Sequence, residues 1–171
     1  QTQAFERFTS TNSDSSLSDS YIYNIYEDTK GQIWICTKNG LNKLMPNSCS
    51  FVRYYSDASH PDNNAYTNIK QDKQGNYWVV GAQPGIFRFN DATGQFTYFN
   101  DDQLPQASRY GKCLYIDSDN RFWVGTIGSG AAEFDTRTHK FYHLPIVPNG
   151  KGLNGVLVFE ILQDGPDHLL I

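Results

Sequence analysis

Four aspartates, Asp28, Asp72, Asp117 and Asp164, fall 44, 45 and 47 residues apart, and each closes a run of β-forming residues. A tryptophan stands six residues after the first three, at Trp34, Trp78 and Trp123, and Leu170 takes that place after Asp164. Three residues after each aspartate come Gly31, Gly75, Asn120 and Asp167, all types that tolerate the left-handed backbone of a tight turn. A self-similar unit of about 45 residues made of short strands is the period of a propeller blade. The spacing therefore predicts an all-β chain, a β-propeller fragment with three complete four-stranded blades and partial blades at both ends.

Overlaying the copies on their aspartates gives the strands. The first strand of each unit runs over 21–28, 66–72, 110–117 and 156–164, and the second over 32–37, 76–81, 121–126 and 168–171. Third strands at 41–44, 86–89 and 131–134 alternate apolar and polar residues, as half-buried strands do. Fourth strands open on Phe51, Phe96 and Phe141. All of 1–171 is thus expected to belong to one array. Residues 1–20 end a preceding blade, with a strand at Phe5 to Phe8, and lead into the next. Blades follow at 21–55, 66–99 and 110–144, with connections to 65, 109 and 155, and 156–171 begins another. Closed propellers have at least about four blades, so further blades of the same array, or a second copy in a homodimer, are expected to complete the arc.

Composition narrows the partners. With a net charge of −4, 19% charged residues and no run of Lys or Arg, the chain lacks the positive stripe that nucleic acid requires. Cys36, Cys49 and Cys113 form no short pairing motif, and Cys36 and Cys113 read as buried thiols within strands. His60, His139, His143 and His168 lack the spacing of a metalloprotease helix, and the glycine-rich 125–130 stretch lacks a phosphate-binding lysine. No catalytic residue, metal site or cofactor is expected.

The recurring residues read as scaffold. Asp28, Asp72, Asp117 and Asp164 can accept N–H bonds within their own turns, while Gly31, Gly75 and Asn120 supply the positive φ. Trp34, Trp78 and Trp123 are expected to pack between neighbouring blades. Ligand-binding candidates lie where the long connections enter the innermost strands: Tyr21, Asn64, Tyr66, Arg109, Tyr110 and Asn154. Tyrosine, asparagine and arginine stack on and hydrogen-bond to polyhydroxylated ligands, although the three tyrosines could equally fill the channel wall.

The first unit, with Tyr21, Ile22, Ile25, Glu27, Asp28, Gly31, Ile33, Trp34, Ile35, Thr37, Gly40, Leu41 and Asn42, resembles the two-component regulator propeller repeat. The second copy keeps Asp72, Gly75, Asn76, Trp78, Gly81, Gly85 and Ile86, and the third keeps Asp117, Trp123, Val124, Gly125, Thr126 and Gly130. Cys36 and Val80 depart from the glycine found at Gly125, and Asn120 departs from the turn glycine. The resemblance implies a non-catalytic periplasmic sensor segment of a Bacteroides-type hybrid two-component system. The parent would be an inner-membrane histidine kinase that feeds a phosphorelay and senses oligosaccharides. An interaction or dimerisation propeller is the alternative reading, and a fragment of a propeller glycoside hydrolase is another.

Overall fold

The computed structural model describes residues 7–100, 102, 110–146, 153, 157–165 and 168–171. Three four-stranded antiparallel sheets dominate, each a meander in chain order. The first comprises β1 (Ile22–Glu27), β2 (Ile33–Thr37), β3 (Gly40–Leu44) and β4 (Phe51–Tyr54). The second comprises β5 (Tyr66–Gln71), β6 (Tyr77–Gly81), β7 (Gly85–Asn90) and β8 (Gln95–Asn100). In the third are β9 (Tyr110–Ile116), β10 (Phe122–Ile127), β11 (Ala131–Asp135) and β12 (Lys140–His143). A two-stranded sheet, β13 (Leu162–Gln163) with β14 (Leu169–Leu170), begins a fourth blade. The only described helical segment is a 3₁₀ turn at Pro61–Asn64. Among the described residues no helix is long and apolar enough to cross a membrane.

The core lies between blades, because each strand alternates its side chains between the blade before and the blade after. Trp34 and Cys36 of β2 face forward into a cluster with Tyr66, Ile69, Tyr77, Val79, Phe87 and Phe89 of the second blade. Trp78, Val80 and Ile86 face forward into Leu114, Phe122, Val124, Phe134 and Phe141 of the third. Trp123 and Cys113 meet Val158 and Ile161 of the fourth. Each indole is nearly enclosed, and Trp34 lies 4.9 Å from Tyr77 and 5.5 Å from Phe89, ring centre to ring centre.

The first blade has no described blade before it. Residues 8–17 cover much of that flank instead. Leu17 packs with Ile35 and Phe51, Phe8 meets Phe51 edge-on, and the Arg53 guanidinium donates to the Ser16 and Leu17 carbonyls. The strand expected at Phe5 to Phe8 does not appear in its described part: Arg7 and Phe8 are unpaired in any ladder, and Phe5 and Glu6 lie outside the described residues. Of the expected first strand of the fourth blade, only Leu162–Gln163 pairs regularly, with Leu157 bridging to Ile127, and Val156 lies outside the described residues.

In each of the three complete blades the innermost strand carries one extra residue against its partner. In β1, Ile22 pairs with Thr37 and Asn24 with Cys36, leaving Tyr23 unpaired. Thr67 is skipped in the same way in β5, and Lys112 in β9. All three stand five residues before the repeat aspartate. A bulge of this kind bends its strand and re-aims the extra side chain.

Candidate functional site

Two constellations carry the chain's polar chemistry, the repeated aspartate turns and the central cleft. In the turns, the Asp28 Oδ1 accepts from the Lys30 and Gln32 amides at 2.8 and 3.0 Å. Its Oδ2 accepts from Gln32 Nε2 at 3.0 Å, the Trp34 indole at 2.9 Å and the Tyr77 hydroxyl of the next blade at 2.5 Å. Asp72 repeats the pattern with Gln74, Asn76 and Trp78, and Asp117 with Asp119, Arg121 and Trp123. Burial works to raise the Asp28 pKa, but the bonds from Tyr77, Trp34, Gln32 and Lys30 outweigh it and bring it down to about 2. At Asp117 burial is likewise overcome, by Trp123 and Arg121 among others, and the pKa is lowered. Gly31 and Gly75 take φ of 73° and 85°, and Asn120 takes 64° at the same step. These carboxylates hold turn, tryptophan and blade together, and their lone pairs are occupied. The Asp164 amide donates to the His168 carbonyl, the same backbone closure as in the other turns.

The cleft lies where the innermost strands converge. It has a volume of about 330 Å³ and takes its walls from all four blades: Tyr23 and Asn24, then Thr67, Asn68 and Lys70, then Lys112 to Tyr115, then Phe159 to Leu162. The Lys112 ammonium sits 5.7 Å from the centre of the Tyr23 ring and 5.8 Å from that of Phe159, so it is held between aromatic faces of the first and last blades. Lys70 lies over the Tyr26 ring at 5.5 Å. The Oδ1 atoms of Asn24 and Asn68 are buried and accept no hydrogen bond. Burial, with Tyr21, Tyr110 and Asp19 nearby, raises the Tyr23 pKa, and burial pushes the Cys113 thiol up to about 11, so both are neutral at pH 7.

None of the described residues singled out from sequence lines the cleft: the Tyr21 ring lies 5.0 Å from that of the lining residue Tyr23, and both Tyr21 and Tyr110 stand exposed to solvent. Tyr66 instead is fully buried, stacks on Phe96 at 5.3 Å and accepts the Ser56 amide at its hydroxyl. The reason is phase, since Tyr21 and Tyr110 precede their aspartates by seven residues and Tyr66 by six. One step along a strand reverses the face. Asn64 is buried as well, and its amide ties the Asp57 and His60 backbone together. Arg109 and Asn154 lie outside the described residues. Sequence reasoning missed Tyr23, Asn24, Asn68, Lys70, Lys112 and Phe159. Their common signal is position, two to five residues before a repeat aspartate. Among the described residues no group of three His, Cys, Asp or Glu side chains could hold a metal ion.

Residues 16–39 and 103–128 match the family model described as two component regulator propeller. No curated protein matches the chain. Among solved structures, the extracellular domain of the hybrid two component system BT4673 from B. thetaiotaomicron aligns at 20% identity with a TM-score of 0.76, over 91% of this chain and 20% of that one. The corresponding domain of BT3049 from the same organism aligns at 22% identity and a TM-score of 0.50, over 78% of this chain and 25% of that one. Virginiamycin B lyase from Staphylococcus aureus aligns at 17% identity and 0.61, over 78% of this chain and 43% of that one. The chain thus spans about a fifth of the length of BT4673's extracellular domain, and at these identities the likeness is one of fold. With the repeat signature and the blade architecture in agreement, the chain is a β-propeller segment, two stretches of which match the two component regulator propeller model.

Proposed function

We propose that this chain is a non-catalytic piece of the periplasmic sensor region of a membrane-anchored hybrid two-component histidine kinase, and that it contributes to oligosaccharide sensing. The observation that carries the reading is the central cleft. Tyr23 and Phe159 offer ring faces there, Asn24 and Asn68 contribute polar side chains to the wall, and the volume of about 330 Å³ falls within the range of small-ligand sites. The family description and the hybrid-system context of BT4673 and BT3049 support the setting. The fold is shared with a lyase, but the repeat carboxylates here are saturated by donors of their own scaffold, which supports a binding role over a catalytic one. Isothermal titration calorimetry of the purified protein against an oligosaccharide panel tests this. Binding to at least one saccharide, lost in Tyr23→Ala and in Phe159→Ala at unchanged thermal stability, is the expected result. Binding to none, or binding indifferent to both substitutions, would refute it.

A second reading, an interaction or homodimer propeller, draws on the flank of the first blade. Ile22 and Ile25 of β1 are 41% and 62% exposed, whereas Tyr66 and Ile69, at the same places in β5, are fully buried against the blade before. That apolar strip fits a further blade of the array or a second copy. Sedimentation of the wild type and of Ile25→Lys separates the two: a dimer abolished by the substitution favours self-association.

A further inference from the structure

The cleft carries a local charge opposite to that of the chain. Its ionised lining groups are Lys70, Lys112 and Glu160, a surplus of one positive charge in a chain of net charge −4. Among the described residues neither ammonium is paired with a carboxylate within salt-bridge distance. Lys112 is instead fixed between the Tyr23 and Phe159 rings, which restricts its side chain without neutralising it. Lys112 owes this place to the β9 bulge, since it is the residue left unpaired between Gly111 and Cys113. A cation immobilised in this way, its partner position unfilled, is prepared for an anion, because the ordering entropy of the lysine has been lost already on folding.

The neutral part of such a ligand has its own seat. Ring faces of the kind offered by Tyr23 and Phe159 suit the C–H face of a sugar ring, and the polar residues Asn24 and Asn68 stand at the same repeat position on neighbouring blades, four residues before Asp28 and Asp72.

Resting on the saccharide reading above, we infer that the cleft prefers acidic saccharides, with Lys112 and Lys70 pairing the carboxylate or sulfate. The test is calorimetric titration of the purified protein with a short neutral oligohexose, an oligohexuronate of equal length and a sulfated oligosaccharide. At least one acidic ligand binds about tenfold tighter than the neutral one, and the preference shrinks as salt is raised. Lys112→Gln lowers the ratio of acidic to neutral affinity to about one at an unchanged melting temperature, whatever it does to neutral binding itself. Lys70→Gln provides the same readout should Lys112→Gln lower the melting temperature. The carboxylate and sulfate arms separate a uronic acid from a sulfate ester as the favoured anion. Equal binding of neutral and acidic ligands would overturn the preference while leaving saccharide sensing intact, as would a preference surviving both substitutions. Failure of every saccharide to bind would overturn both.

Discussion

Asp28 shows how one side chain serves a whole blade. Its carboxylate accepts from two backbone amides, a glutamine, an indole and the tyrosine of the next blade, and this is why its pKa falls to about 2 despite burial. A carboxyl group whose folded pKa lies below its unfolded value near 3.8 contributes stability that is fully present above pH 3.8 and is lost as the pH falls towards 2. Asp28→Asn turns one acceptor into an N–H donor facing donors, so it should cost roughly 1–3 kcal/mol at neutral pH. Urea unfolding at pH 7, 4 and 2 should show the difference between wild type and variant narrowing as the pH drops; a gap independent of pH would contradict this account. Much of the turn was legible in the sequence, because aspartate, turn residue and tryptophan recur in phase. The indole-to-carboxylate bond was not, since a spacing of six residues fixes neither the rotamer of Trp34 nor the partner of its N–H.

Between elements the same economy governs how blades fit together. The residue six before each aspartate points at the preceding blade, and in the second blade Val80 stands where Gly125 stands in the third. Val80 meets Gly111, and Gly125 meets Val158: a Cβ added at Gly111 would lie 2.8 Å from Val80 Cβ, and one at Gly125 would lie 2.5 Å from Val158 Cγ1. Large therefore faces small across both joints, in opposite senses. The overlay shows Val80 departing from a glycine, but the compensating Gly111 sits in another blade, so a single copy cannot reveal it. Gly111→Ala should destabilise by about 1–3 kcal/mol through overpacking. Combined with Val80→Gly, which leaves room for the new methyl, its cost should be less than additive in a double-mutant cycle of urea midpoints. Strict additivity would mean that the two residues do not share the joint. A polar clasp reinforces the joints: Gln71 Oε1 accepts from Thr29 N–H and hydroxyl, and Gln163 Oε1 accepts from the Ser118 amide, each spanning adjacent blades. The bulges escaped the overlay for a different reason. Tyr23, Thr67 and Lys112 share a register anomaly and no chemistry, and register is a property of pairing, not of one strand's residues.

Over the whole molecule, stability is a chain of nearest-neighbour joints. The period was enough to give the number of described blades and their order, whereas the cleft arises only when four innermost strands converge, which no single repeat encodes. The joints are not alike. The second blade is packed on both flanks: β6 is buried at every residue, with Trp78 and Val80 turned to the third blade and Tyr77 and Val79 to the first. Among the described residues, the joint to the fourth blade is smaller, lacks the aromatic pairs of the other two, and ends in a sheet of two short strands with exposed Leu162 and Leu170. Local opening draws on the free energy of the contacts that must break. Amide hydrogen exchange followed by mass spectrometry should therefore grade along the array, slowest in β6 and β7 and fastest in β13 and β14, with β10 protected between them. Uniform protection across all blades would show one cooperative unit instead of joined ones. If a saccharide fills the cleft, its contacts reach Phe159 and Glu160 from the first three blades, so protection should rise most in the weakly held fourth blade. That would make the least stable joint the one most responsive to ligand.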